Sequence, residues 1–299
     1  ENGDVCGKIL FMPPPPKPTN NTHQQHTPQP TKKRKGRRKF LSPVHVPSMV
    51  LEVDFPDSVP IIVARPFFFR VLDGGVPPLG VEAHVVNLRG HGGSEGDWQT
   101  AGLPECLEDV TVAIRRLGAP PILIGHSMGG MVAQEFAVAH QDRLHSLTLF
   151  ATSPAFGRPD GDFQKQFVES RLAPLSAGST MADLADKLVD KMMSPNALSS
   201  DRRLAYECMA DISPATYRAA IECTVTFERR ADLSNIRVPT LAVAGEADTI
   251  AAASMMEKMA KKIPRCRYVC LSKLGHLAHL EDPQAFNSVL TDFLSTVRN

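Results

Sequence analysis

The pentapeptide Gly125-His126-Ser127-Met128-Gly129 stands between an apolar run, Pro121-Ile122-Leu123-Ile124, and an amphipathic stretch from Met128 to His140. Few local patterns restrict a fold as tightly. A G-x-S-x-G sequence between a strand and a helix predicts a very sharp turn, with the serine in a strained backbone conformation. Neighbouring backbone crowds the flanking positions, and Gly125 and Gly129 bring no side chains to collide with it. Such a turn lifts the Ser127 hydroxyl above the end of the strand, at a helix N-terminus. There the helix dipole favours a developing negative charge. A Gly-Ser loop that arose by chance would need neither the strand before it nor the helix after it. The context makes Ser127 a candidate nucleophile.

A turn of this kind belongs to an alternating strand and helix pattern, and the chain has one from Val50 onward. Short apolar runs occur at 60–64, 83–86, 121–124, 147–150, 240–244 and 268–271. Continuous runs of this length fit strands covered on both faces. Between them, Glu105 to Leu117 places Leu107, Val110, Ala113, Ile114 and Leu117 at helical spacing, as do Met128 to His140 and Ala251 to Lys262. Pro283 to Val297 closes the chain in the same way. The expected class is α/β, a mostly parallel doubly wound sheet with right-handed crossovers. Residues 153–235 break the alternation with helical patterns only, for example Met181 to Met193, Asp201 to Met209 and Thr216 to Thr226. They read as a helical cap inserted late in the sheet, with the core in 44–152 and 236–299.

A nucleophilic serine needs a base, and the base needs an orienting acid. Asp248 in Gly245-Glu246-Ala247-Asp248 follows one apolar run, and His276 in Leu274-Gly275-His276-Leu277 follows another. Both fall at C-terminal ends of expected strands, where parallel sheets gather their active sites. A Ser127/Asp248/His276 triad follows. Glu246 is the rival acid; its place nearer the strand end suits it better to fixing the loop. His279 is the rival base; His276 is preferred because it follows the glycine that a sharp loop needs. His84, His140 and His145 fall inside expected strands or helices and read as ordinary structural or surface residues.

Composition bounds the rest. Of 33 Lys/Arg and 32 Asp/Glu, the first 39 residues hold nine and two, leaving a body with 24 basic and 30 acidic residues. That acidic body gives no reason to expect nucleic-acid binding by the core. The six scattered cysteines lack zinc-like spacing and read as free thiols of a reducing compartment. No apolar run approaches the ~18 residues that span a membrane. Residues 1–43, Pro-rich and ending near the run Lys32-Lys33-Arg34-Lys35-Gly36-Arg37-Arg38-Lys39, read as a disordered tail. The basic run fits a solvated tail, an import or acidic-surface patch, or the end of a targeting segment. Glu1 to Met12 does not read as a signal peptide, and the lack of an initial Met points to a processed or incomplete N-terminus. The expected location is cytoplasmic, with nuclear or organellar placement left open by the tail.

Four separated blocks carry a family resemblance: Asn87-Leu88-Arg89-Gly90-His91-Gly92-Gly93-Ser94, Gly125 to Gly130, Val238-Pro239-Thr240 through Asp248, and Gly275 through Pro283. From about Val81 to the C-terminus the chain resembles the α/β-hydrolase superfamily. Within it the resemblance is greatest to the branch of 3-oxoadipate enol-lactonases, carboxylesterases and C–C-bond hydrolases. The resemblance implies the same triad, a cap between the sixth and seventh strands, and no metal or organic cofactor. It also implies a small-molecule ester or lactone as substrate. Epoxide hydrolases and dehalogenases of the superfamily carry Asp where this chain has Ser127. In one place the chain departs from the pattern: the usual His-Gly after the third strand is replaced by Arg65-Pro66. Pro66 has no N–H to give, so the Phe67 N–H is the expected partner of the Met128 N–H in an oxyanion hole. Loss of one such donor typically costs ~10²–10³ in turnover. Two alternatives to ester hydrolysis stay open: C–C bond hydrolysis in the same fold and, because the oxyanion loop is altered, a degenerate hydrolase fold that binds a ligand or a protein without turnover. Trp98, Phe156, Met192 and Phe227 are candidate pocket residues, and core packing explains them equally well.

Overall fold

The fold is seen in a computed structural model, which describes residues 61–65, 83–91, 102–158 and 161–297. The expected tail, Phe67 and Trp98 lie outside the described residues.

Among the described residues six strands form one sheet: β1 (Ile61–Arg65), β2 (Ala83–Asn87), β3 (Ile122–His126), β4 (Ser146–Phe150), β5 (Thr240–Gly245) and β6 (Cys266–Leu271). Their order is β2-β1-β3-β4-β5-β6, and every pairing is parallel. Parallel neighbours need crossovers, and helices supply them. Side chains alternate across the pleat. Leu123, Leu147, Leu149, Ala242 and Ala244 pack with helices α1 (Leu103–Arg115), α2 (Met128–His140) and α7 (Ala253–Ala260). Ile122, Ile124, Phe150, Leu241 and Val243 pack in the other cluster, with Phe286, Leu290 and Phe293 of α9 (Pro283–Thr296). All five residues of β3 and of β4 are buried. That is why β3, with Ile122, Leu123 and Ile124 in succession, reads as an apolar run rather than as an alternating one.

Between β4 and β5 the chain forms α3 (Asp162–Ser176), α4 (Met181–Met192), α5 (Ser199–Ala210) and α6 (Pro214–Val225). Local signals set two of the starts. Thr180 and Asp183 form a reciprocal capping box at α4, and the Ser213 hydroxyl accepts from the Thr216 N–H at α6, where Pro214 takes the first helical position. The segment is pinched at its base, where Phe156 N–H donates to Phe227 O at 3.1 Å and Arg229 N–H donates to Pro154 O at 2.8 Å. Helix α3 has no clear apolar stripe and contains Pro174, which is why periodicity did not single it out. The four-residue α8 (Ala278–Glu281) was likewise not foreseen. Among the described residues no helix is long and apolar enough to cross a membrane.

Candidate active site

The turn after β3 is as sharp as its sequence requires. Ser127 has φ 53° and ψ −121°, a left-handed conformation rare for a residue with a side chain. A Cβ on Gly125 would lie 2.5 Å from the Gly129 carbonyl oxygen and 2.7 Å from the Gly130 Cα. One on Gly130 would lie 2.6 Å from the Thr152 Cβ. Gly130, one residue beyond the pentapeptide, is therefore as constrained as Gly125. The strained serine is tied on both sides. Its N–H donates to Phe150 O at 3.0 Å, and its carbonyl accepts from the Thr152 hydroxyl at 2.7 Å and the Gly130 N–H at 2.9 Å. Met128 opens α2, so its N–H belongs to the first turn, where the helix offers no carbonyl partner.

Three residues distant in sequence meet above the ends of three strands. His276 Nε2 lies 3.1 Å from Ser127 Oγ, and His276 Nδ1 lies 2.8 Å from Asp248 Oδ2. The His276 and Asp248 side chains are buried, whereas Ser127 is partly open. Both oxygens of Asp248 are committed. Oδ2 faces the imidazole, and Oδ1 accepts from the Ile250 and Ala251 N–H groups at 2.7 and 2.9 Å. Burial alone would raise the Asp248 pKa. The His276 charge and hydrogen bond, with the two backbone donors, outweigh it and hold the carboxyl below its ordinary value. An acceptor facing Nδ1 leaves Nε2 free of its proton and able to accept from the serine.

The rivals take other roles. Glu246 is exposed and accepts from the Ser272 hydroxyl and the Lys273 N–H, both at 2.8 Å, so it fastens one loop to its neighbour. His279 is buried among His126, Phe150 and Phe286. Of the pocket candidates, Phe227 is buried in the same core cluster as Leu233 and Ile236. Phe156 packs on Phe163 and Phe167, with ring centroids 5.6 and 4.5 Å apart. Met192 is half-buried and meets the site through its backbone, its carbonyl accepting the His276 N–H at 2.7 Å.

Sequence reasoning missed two supports of this site, His126 and Glu281, and one ion pair in the loop after β2. His126 is fully buried, and its Nε2 lies 3.0 Å from the His276 carbonyl oxygen. Arg89, in the loop after β2, forms a two-pronged pair with Asp109 of α1, with contacts of 2.6 and 3.0 Å. Glu281 binds the loop that carries His276. His126 and Glu281 sit inside motifs the sequence displays, but only three-dimensional contacts reveal their partners. Among the described residues no group of three or more His, Cys, Asp or Glu could hold a metal ion.

The Alpha/beta hydrolase family matches residues 62–289 of the chain. The chain is 30% identical over 227 residues to the pimeloyl-[acyl-carrier protein] methyl ester esterase of Nitrosomonas europaea, covering 73% of this chain and 88% of that protein. Among solved structures, a thermophilic esterase from Thermogutta terrifontis superposes with a TM-score of 0.70 at 22% identity, over 82% of this chain and 92% of that one. An enol-lactonase from Burkholderia xenovorans superposes with a TM-score of 0.69 at 21% identity, over 80% and 92%.

Proposed function

The chain belongs to the alpha/beta hydrolase family, and from that premise we propose that it is a serine hydrolase of carboxylic esters or lactones. The observation that carries the proposal is the pair of contacts made by one imidazole, 3.1 Å to Ser127 Oγ and 2.8 Å to Asp248 Oδ2. The esterase named among its relatives supports the ester branch.

His276 Nε2 takes the Ser127 proton as Oγ attacks the substrate carbonyl carbon. The new oxyanion forms beside the Met128 N–H, with the Phe67 N–H as the second donor expected from the sequence. Asp248 holds the ring in the tautomer that exposes Nε2 and stabilises the imidazolium that forms. Collapse breaks the bond to the leaving oxygen, which receives the proton from His276. In a lactone the released hydroxyl stays tethered to the acyl group. Water, deprotonated by His276, then attacks the acyl-enzyme, and the acid leaves with Ser127 restored. Residues 153–235 serve as the cap over this site, and Met192 at the end of α4 stands next to the base.

Hydrolysis of 4-nitrophenyl acetate and butyrate, with labelling by a fluorophosphonate, tests the reading. Wild-type protein turns over the esters and is labelled on Ser127, and Ser127→Ala does neither. Unchanged turnover in Ser127→Ala, or folded wild-type protein that neither turns over nor labels, overturns it. The second result favours the non-catalytic alternative raised by the Arg65-Pro66-Phe67 segment.

A further inference from the structure

The peptide of His276 is held from two sides. Its carbonyl takes the His126 ring, and its N–H donates to Met192 O at 2.7 Å, at the C-terminal end of α4. One residue earlier, the Gly275 N–H donates to Glu281 Oε1 at 2.9 Å. The other oxygen of the same carboxylate, Oε2, accepts the Ser194 N–H at 2.9 Å. Glu281 thus spans from the base-bearing loop to the residues just after α4. The end of α4 and the residue beyond it have further ties. Arg202 Nη2 donates to Ser194 O at 2.6 Å, and the Thr249 hydroxyl, beside Asp248, donates to Lys191 O at 3.0 Å. The contact leaves no slack. A Cβ on Gly275 would lie 2.7 Å from Met192 O, 2.8 Å from Glu281 Oε1 and 2.8 Å from Ser194 N.

We propose that Glu281 is a positioning residue that fixes His276 against the end of α4, so that the placement of the helical segment sets the aim of the base. The inference rests on the serine-hydrolase reading. A carboxylate is suited to the task because it offers two acceptor oxygens to two backbone donors that have no other acceptor in this arrangement. With Ala at 281 the Gly275 and Ser194 N–H groups lose their acceptor, and the loop is free to drift. A misplacement of about 1 Å can cost ~10²-fold in turnover. Gln at 281 keeps one acceptor oxygen and turns an NH₂ toward the other donor, so it restores one bond of the two.

The test compares wild type, Glu281→Ala and Glu281→Gln. It reads kcat and KM for 4-nitrophenyl butyrate, the fluorophosphonate labelling rate, Tm, and the downfield proton resonance of His276 Nδ1–H. Assays run well below each Tm. Glu281→Ala is expected to lose roughly ten- to a hundredfold in kcat and labelling rate with KM nearly unchanged. Its Nδ1 proton signal shifts or broadens, and Glu281→Gln falls between the two. Glu281→Ala with a lower Tm but wild-type kcat, labelling and Nδ1 resonance overturns the proposal and leaves only a structural role. If Glu281→Ala does not fold, Glu281→Gln with wild-type kcat and resonance overturns it. Wild-type protein without turnover or labelling defeats the hydrolase reading instead, and the Nδ1 resonance in the variants still decides whether Glu281 positions the ring.

Discussion

The ring Nε2 of His126 lies 3.0 Å from the carbonyl oxygen of His276, so the residue before the serine grips the peptide of the residue that faces it. A carbonyl oxygen only accepts, which makes His126 Nε2 the donor. Burial drives the His126 pKa well below its ordinary value, and the nearby His276 and His279 lower it further, against the opposing bond to His276 O. His126 therefore stays neutral. The two rings stand 5.0 Å apart, yet only His276 has a ring nitrogen, Nε2, within 3.1 Å of Ser127 Oγ. One is a fixed strut and the other is the base of the proposed mechanism.

Replacement of His126 by Phe keeps a ring in the space beside Phe150 but leaves His276 O without its donor. A buried acceptor left unsatisfied costs about 1–3 kcal/mol. Urea denaturation should show a loss of that size, and ester turnover should fall with it as the His276 peptide loosens. Wild-type stability in His126→Phe would mean that the contact is incidental.

Asp248→Asn keeps the size of the acid and removes its charge. An amide can turn its NH₂ toward His276 and favour the tautomer with the proton on Nε2, where the base cannot accept from Ser127. The loss expected from that tautomer error is about 10⁴-fold in kcat. Stability should change with pH in a defined direction. Because the folded Asp248 carboxyl lies below its ordinary value, its stabilising contribution is present above the unfolded value of about 3.9. It is lost as pH falls through the lower folded value. Denaturation midpoints of wild type and Asp248→Asn should therefore converge on acidification below about pH 4.

Much of this was legible because the informative residues obey local rules. The β3 run, the glycine-flanked Ser127 and the start of α2 at Met128 are each fixed within a few positions of sequence, and strand ends located Asp248 and His276. What escaped was set by contacts across long separations. Glu281 meets Ser194 across 87 residues, and His126 meets His276 across 150. No periodicity encodes such a pairing. Helix α3 escaped for a different reason: with only Gln164 and Leu172 buried, it has no apolar stripe to read. Phe67 and Trp98 fall outside the described residues.

Thr152→Val is nearly isosteric and removes one donor from the strained turn. The Thr152 hydroxyl reaches Ser127 O at 2.7 Å, and the Gly130 and Met131 N–H groups reach the same oxygen at 2.9 and 3.3 Å. Since two donors remain, the expected cost is about 1 kcal/mol, the net worth of an ordinary hydrogen bond. Thermal denaturation reads it directly. A loss several times larger would show that the hydroxyl, rather than the glycines around it, holds Ser127 in its left-handed conformation.

Gly245→Ala presses on the site from beneath. A Cβ there would lie 2.2 Å from Gly275 O and 2.5 Å from Leu274 O, both backbone atoms with no rotamer to yield. Residues 246–248 lead from Gly245 to Asp248, and Gly275 immediately precedes His276, so relief of the clash must move the two loops apart. The 2.8 Å contact between Asp248 Oδ2 and His276 Nδ1 would lengthen. Overpacking of this kind costs about 1–3 kcal/mol. Kinetics should show a fall in kcat that persists at temperatures where the variant is fully folded. A variant destabilised by that amount yet fully active would mean that the β5 and β6 loops can separate without disturbing the contact between Asp248 and His276.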